Sequence, residues 1–156
     1  MNVSQHPFLS RFSPQGKARL VEEAQVTSLP AEKILFREED PADSLCLVLE
    51  GTVEIFKSLG PDREEILSRM GPGEFFGEMG VLDEAPRSAG ARAAEDSLIA
   101  LIPANVFLYI LREEPSAVAL EVVGRMSQRL RESNVRLIRK LASGSQDTTT
   151  QTGGKR

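Results

Sequence analysis

Cysteine, histidine and long apolar runs are what this chain has least of, and each shortage removes a class of function. Cys46 is the only cysteine among 156 residues, which excludes an intrachain disulfide and a cysteine-held cluster. Its apolar surroundings, Leu45 to Leu49, predict a small buried hydrophobe rather than a reactive thiol. His6 is the only histidine, so a multi-histidine metal site, haem ligation and an iron–sulfur centre have few ligands to draw on. No apolar run reaches the roughly 18 residues that span a bilayer, and no charged-then-apolar leader precedes Phe8. The expectation is a cytoplasmic protein without a membrane partner. A formal charge of −4 argues against non-specific attraction of the whole chain to nucleic acid.

What is present is an ordinary soluble composition, 40% hydrophobic and 27% charged, enough for one domain with a sizeable core and an appendage. Ser13-Pro14 makes a helix start, and Ala18, Leu20, Val21 and Ala24 give the helix over 14–24 its apolar stripe. Short strand patterns follow over 33–37, 45–50, 52–57, 64–70, 74–76, 87–94 and 97–102. Asp40-Pro41, Gly60-Pro61-Asp62 and Gly71-Pro72-Gly73 separate them as turns. The series predicts an α+β chain, an antiparallel β-roll of the jelly-roll kind over about 27–102, with a short N-terminal helix and C-terminal helices. Val106, Phe107 and Ile110 begin the first C-terminal helix, which stops before Pro115.

The last helix, over 115–141, is long. Its seam is Val123, Met126, Leu130, Leu137 and Leu141, broken by Ser133 and Asn134. At 1.5 Å per residue it reaches about 40 Å, more than a small roll covers, so Leu137, Ile138 and Leu141 need another surface. Arg125, Arg129, Arg131, Arg136, Arg139 and Lys140 read as a solvated face. The domain is placed at 13–142, after an N-terminal segment 1–12 and before a tail, 143–156, whose composition predicts disorder.

Chemistry concentrates between Phe76 and Ala93, in FGEMGVLDEAPRSAGARA. Gly77 lacks a Cβ and opens a short helical turn, so a ligand can approach bare N–H groups. An ionised Glu78 only accepts hydrogen bonds, which suits sugar hydroxyls rather than phosphate oxygens. Arg87 offers a planar, permanently charged fork for two phosphate oxygens. Phosphodiester hydrolysis would need a metal cluster or a paired acid and base, and neither shows in the sequence, so a non-enzymatic binder is expected.

Phe76-Gly77-Glu78, Gly80 and Leu82, followed by Pro86-Arg87-Ser88-Ala89 and then Ala91 and Ala93, closely resemble the phosphate-binding cassette of cyclic-nucleotide-binding domains. That family includes catabolite activators, cyclic-nucleotide-dependent kinases and gated channels. ILFREEDPADSLCLVLEGTVEIFK also resembles its first strands. The resemblance implies a ligand, cyclic AMP or cyclic GMP, and no cofactor. It implies that Arg87 binds phosphate, helped by Ser88 and by backbone groups of Gly77 and Ala89. Glu78 would take the ribose 2′-hydroxyl, with Gly80 allowing close packing and Phe76, Met79 and Pro86 completing the cassette. Ser133 and Asn134 align where the purine is contacted, sometimes from a second subunit.

The resemblance further implies a homodimer through the long helix, which closes over the ligand and acts on a separate effector protein. Catabolite activators carry a helix-turn-helix domain after that helix. Fifteen residues follow Leu141, so direct DNA binding is not expected. Serine after the arginine occurs with both purines; the bacterial look of the chain favours cyclic AMP. The alternatives are a dimerisation module that ignores nucleotide and a regulator working with a DNA-binding partner.

Overall fold

Proline and glycine turns cut the chain into short strands, and burial decides how those strands stack. The computed structural model describes residues 1–144, in two units, Met1–Ala119 and the segment from Leu120 onward. The first unit opens with two 3-10 turns, Val3–Gln5 and Pro7–Arg11, and then α1 (Pro14–Glu23). Ser13 caps α1, its hydroxyl accepting from Gly16 N at 3.1 Å. Strands β1 (Gln25–Leu29), β2 (Ile34–Phe36), β3 (Ser44–Glu50), β4 (Val53–Gly60), β5 (Arg63–Met70) and β6 (Phe75–Phe76) follow. Next come a short helix α2 (Glu78–Leu82), strands β7 (Gly90–Ala93) and β8 (Ser97–Pro103), and helix α3 (Ala104–Glu113). Helix α4 (Pro115–Gly144) begins in the first unit and supplies the described part of the second.

Two four-stranded antiparallel sheets result, ordered β1-β8-β3-β6 and β2-β7-β4-β5. This is the expected β-roll. Cys46, Val48, Phe76 and Ile99 of the first sheet pack with Val53, Met70, Ala91 and Ala93 of the second. Strand alternation places Leu45, Leu47 and Leu49 on the other face of β3, and they too are buried. Helix α3 contacts β3 and β8, and α1 contacts β8. A strand covered on both faces reads as an unbroken apolar run, as Leu45 to Leu49 does.

Three features depart from the pattern expected of the sequence. Strand β1 has no counterpart in the predicted set. It pairs only with β8, and Val26 is exposed while Leu29 alone is buried, so no two-residue apolar period marks it. The strand predicted over 87–94 shortens to Gly90–Ala93, because Arg87 pairs instead with a loop: Arg87 N donates to Asp40 O and Glu39 N to Arg87 O. Finally, residues 1–12 supply core. Val3, His6, Phe8, Leu9 and Phe12 are buried, and the Phe8 ring lies 4.3 Å from Phe75 and 6.1 Å from Phe107. The α3 boundary agrees with the stop before Pro115, and α4 covers the predicted long helix. Residues 145–156, most of the expected tail, lie outside the described residues.

One ion cluster stitches the second sheet. Glu54 lies opposite Arg69 on β5 and Arg92 on β7. Arg69 donates to it at 3.1 and 2.8 Å and Arg92 at 3.1 Å. Arg69 above all, and then Arg92, holds the Glu54 carboxyl below its ordinary value against the opposing effect of burial. A carboxyl depressed in the folded state stabilises fully above its unfolded value, about 4.3, and that contribution fades as pH falls through the folded value. Glu54→Gln is expected to lose about 1–2 kcal/mol at neutral pH, a figure kept low because Arg69 is largely exposed. In acid denaturation the gap from wild type should begin to narrow only below about pH 4.3 and close as the carboxyl becomes protonated in the folded state; a gap that stays constant throughout the acid range would refute the assignment.

Candidate nucleotide-binding cassette

Gly77 follows strand β6 directly and sets the cassette's geometry. Its φ of 84° is left-handed, a conformation that favours glycine. A Cβ there would lie 2.5 Å from Arg87 Nη1, so the absent side chain is the space the guanidinium uses. Glu78 then begins α2 and is fully buried. Gly80 allows the close packing expected of it: an added Cβ would stand 2.5 Å from Ala42 Cβ and 2.9 Å from Ala85 O.

Arg87 points inward, with 3% of it exposed. Nη1 donates to Gly77 O at 3.2 Å, and Nη2 donates to Ser44 O at 2.8 Å and Ser44 Oγ at 3.3 Å. Asp43 Oδ1 stands 3.6 Å from Nη2 but is itself largely exposed. Below the guanidinium lies the Phe36 ring, 4.1 Å from Cζ to centroid. The third nitrogen, Nε, is buried without a hydrogen-bond partner among the described residues. Asp43, the carboxylate at ion-pair distance, is exposed, so the buried cation keeps the capacity to take a further anion.

Cys46 is buried on β3, two residues after Ser44. Burial pushes its thiol up to about 12, Arg87 and a Ser44 hydrogen bond oppose the rise, and Asp43 and Glu78 add to it. At neutral pH the sulfur is a protonated, inert filler, as its apolar setting predicts.

The other expected cassette residues divide by exposure. Phe76 and Ala89 are buried, whereas Met79, Pro86 and Ser88 are exposed. Ser88 O accepts from Lys57 Nζ at 3.4 Å. Ser133 and Asn134 are exposed on α4 and belong to the second unit, so the cassette is described from the first unit alone. Sequence reasoning assigned no role to Ser44, Asp43 or Phe36, which hold the arginine. Their one signal was their place in the stretch resembling the family's first strands.

This arrangement has a match among known proteins. Residues 26–114 match the family model described as cyclic nucleotide-binding domain. The chain belongs to that family. The cyclic AMP receptor protein of Thermus thermophilus is 37% identical over 108 residues, covering 69% of this chain and 50% of that protein. The crystal structure of the Thermus thermophilus catabolite activator protein superposes with a TM-score of 0.71 at 33% identity, over 88% of this chain and 63% of that one. The regulatory domain of Toxoplasma gondii PKA, co-crystallised with cAMP, shares the fold at a TM-score of 0.68 and 18% identity, over 79% of this chain and 46% of that one. The chain spans about half the length of the curated relatives it matches. This cyclic nucleotide-binding domain therefore has the regulatory type of roll, and no described helix is long and apolar enough to cross a membrane.

Proposed function

We propose that this chain is a receptor for a 3′,5′-cyclic purine mononucleotide, with cyclic AMP preferred, and that it regulates a partner protein rather than catalysing a reaction. The observation that carries the reading is the buried Arg87, whose Nε has no partner among the described residues. In this reading Nε takes a phosphate oxygen and an Nη group exchanges a carbonyl for a second. Glu78 accepts from the ribose 2′-hydroxyl. Backbone groups of Gly77 and Ala89 and the Ser88 hydroxyl complete the phosphate contacts, and Ser133 or Asn134 meets the purine edge. The preference for cyclic AMP draws on the Thermus relative, a cyclic AMP receptor.

Signalling requires that nucleotide bind one conformation more tightly than another. Closure of α4 over the base is the proposed change, in a cytoplasmic homodimer paired through α4. Val123, Leu130, Leu137, Ile138 and Leu141, more than half exposed, supply an apolar seam for that pairing. Isothermal titration with cyclic AMP and cyclic GMP is the direct test. Heat that saturates at micromolar cyclic AMP is the expected result; silence with both nucleotides at millimolar concentration would end the receptor reading.

A second reading, a dimerisation module that ignores nucleotide, has one observation in its favour. Both Nη groups of Arg87 already donate to the protein's own carbonyls. Thermal melting separates the two. A ligand at about 100 times its Kd stabilises the folded state by about 2.7 kcal/mol, worth several degrees, and a true non-binder does not move.

A further inference from the structure

We propose that Phe36 is a positioning residue for the phosphate-binding arginine, its ring acting as the platform that orients the Arg87 guanidinium and keeps Nε available to a bound phosphodiester. The inference rests on the receptor reading above and adds to it a determinant of affinity outside the cassette. Arg87 Cζ stands 4.1 Å from the Phe36 centroid, in a setting where the arginine is almost wholly buried. A cation on a ring face is held more strongly when both are out of water. The ring bounds one side of the guanidinium. Gly77 O and Ser44 O then fix its direction by engaging Nη1 and Nη2. Nε is the nitrogen that this arrangement leaves without a partner among the described residues.

The ring itself is held in place. Phe36 ends β2, packs against the core cluster, and lies 6.1 Å from the Phe76 ring, one residue before Gly77. The loop that follows Phe36 is bracketed to the arginine's own main chain. Arg37 N donates to Asp40 Oδ2 at 2.8 Å, Arg87 N to Asp40 O at 2.8 Å, and Glu39 N to Arg87 O at 2.9 Å. Ring and guanidinium are therefore parts of one hydrogen-bonded frame. An aliphatic side chain could fill the same volume but would exert no electrostatic pull on the cation. Affinity for the nucleotide should consequently follow the electron density of the ring.

The test is titration with cyclic AMP of three proteins: wild type, Phe36→Leu, and a variant carrying 3,4,5-trifluorophenylalanine at position 36. Fluorination keeps the shape and removes the negative ring face, so it changes orientation of the cation without opening a cavity. Both variants are expected to bind roughly fivefold more weakly, and melting of the fluorinated protein should confirm that it is folded. In an Arg87→Ala background, titrated at millimolar nucleotide, Phe36→Leu should bring no further loss, because the ring acts only through the arginine. Wild-type affinity in the fluorinated protein, or an equal loss from Phe36→Leu with and without Arg87, overturns the inference while leaving the receptor reading intact. A wild type that gives no heat with either cyclic nucleotide brings down both.

Discussion

Arg87→Leu is expected to weaken cyclic AMP binding by about tenfold to a hundredfold. A hydrogen bond to a charged group is worth about 1.5–3 kcal/mol, and each 1.4 kcal/mol is a factor of ten. The phosphate would lose its paired donors, and no other cation stands in the described contacts of Ser44 and Gly77. The substitution also has a structural side. The Gly77 and Ser44 carbonyls lose a donor each, and leucine leaves the Phe36 face without its cation. Binding and stability should therefore both be read, by titration and by melting. Arg87→Lys separates them. Lysine keeps a point charge but has no planar fork, so it should recover part of the affinity while failing to span both carbonyls. Equal affinity in wild type and the leucine variant would show that the buried guanidinium serves packing alone.

Phe8→Ala should be among the most destabilising single changes outside the cassette. Phe8 is 1% exposed and its ring contacts three others, Phe12, Phe75 and Phe107, at 5.5, 4.3 and 6.1 Å. Truncating a buried phenylalanine to alanine costs about 3–5 kcal/mol, because transfer energy and residual cavity add. Against a typical total of about 5–15 kcal/mol that is a large share, and a fall in melting temperature of about 10–20 °C follows. Calorimetry or circular dichroism would read it. A shift of only a degree or two would mean that the N-terminal turns ride on the surface. Where the variant remains folded, its nucleotide affinity should stay close to wild type, since the ring contacts of Phe8 are Phe12, Phe75 and Phe107, none of them a cassette residue.

The cassette was legible because its chemistry is local. Gly77, Glu78 and Arg87 fall within eleven residues, and each type has a narrow physical use: left-handed backbone, pure acceptor, planar fork. The roll was legible for a similar reason, since alternation and proline–glycine turns are short-range signals. Strand β1 was not, because an edge strand with one buried residue carries no apolar period. The N-terminal turns were missed too. Phe8, Leu9 and Phe12 have the three- and four-residue spacing of a helix face, but Pro7 and Ser13-Pro14 confine it to a run too short to mark a core element. Residue order therefore shows only a segment ahead of the domain until the sheet beneath it is known.

The holders of the arginine show the same limit at the site itself. Ser44 precedes Arg87 by 43 positions, and a carbonyl acceptor carries no side-chain signature, so any residue there could supply it. Phe36 looks like one more apolar strand residue; only its placement under a buried cation makes it a platform. Asp43 resembles any loop carboxylate until its 3.6 Å approach to Nη2 is measured.

From residue order alone came membership of a cyclic nucleotide-binding family, the antiparallel roll with its flanking helices, and the candidate cassette of Gly77, Glu78 and Arg87. Periodicity and tight spacing are written along the chain, so they survive without coordinates. The folded molecule decided which way Arg87 faces, what grips it, and how the first twelve residues close the core. Those outcomes depend on groups far apart in sequence meeting at contact distance, and that is settled by burial and hydrogen bonding across the sheets.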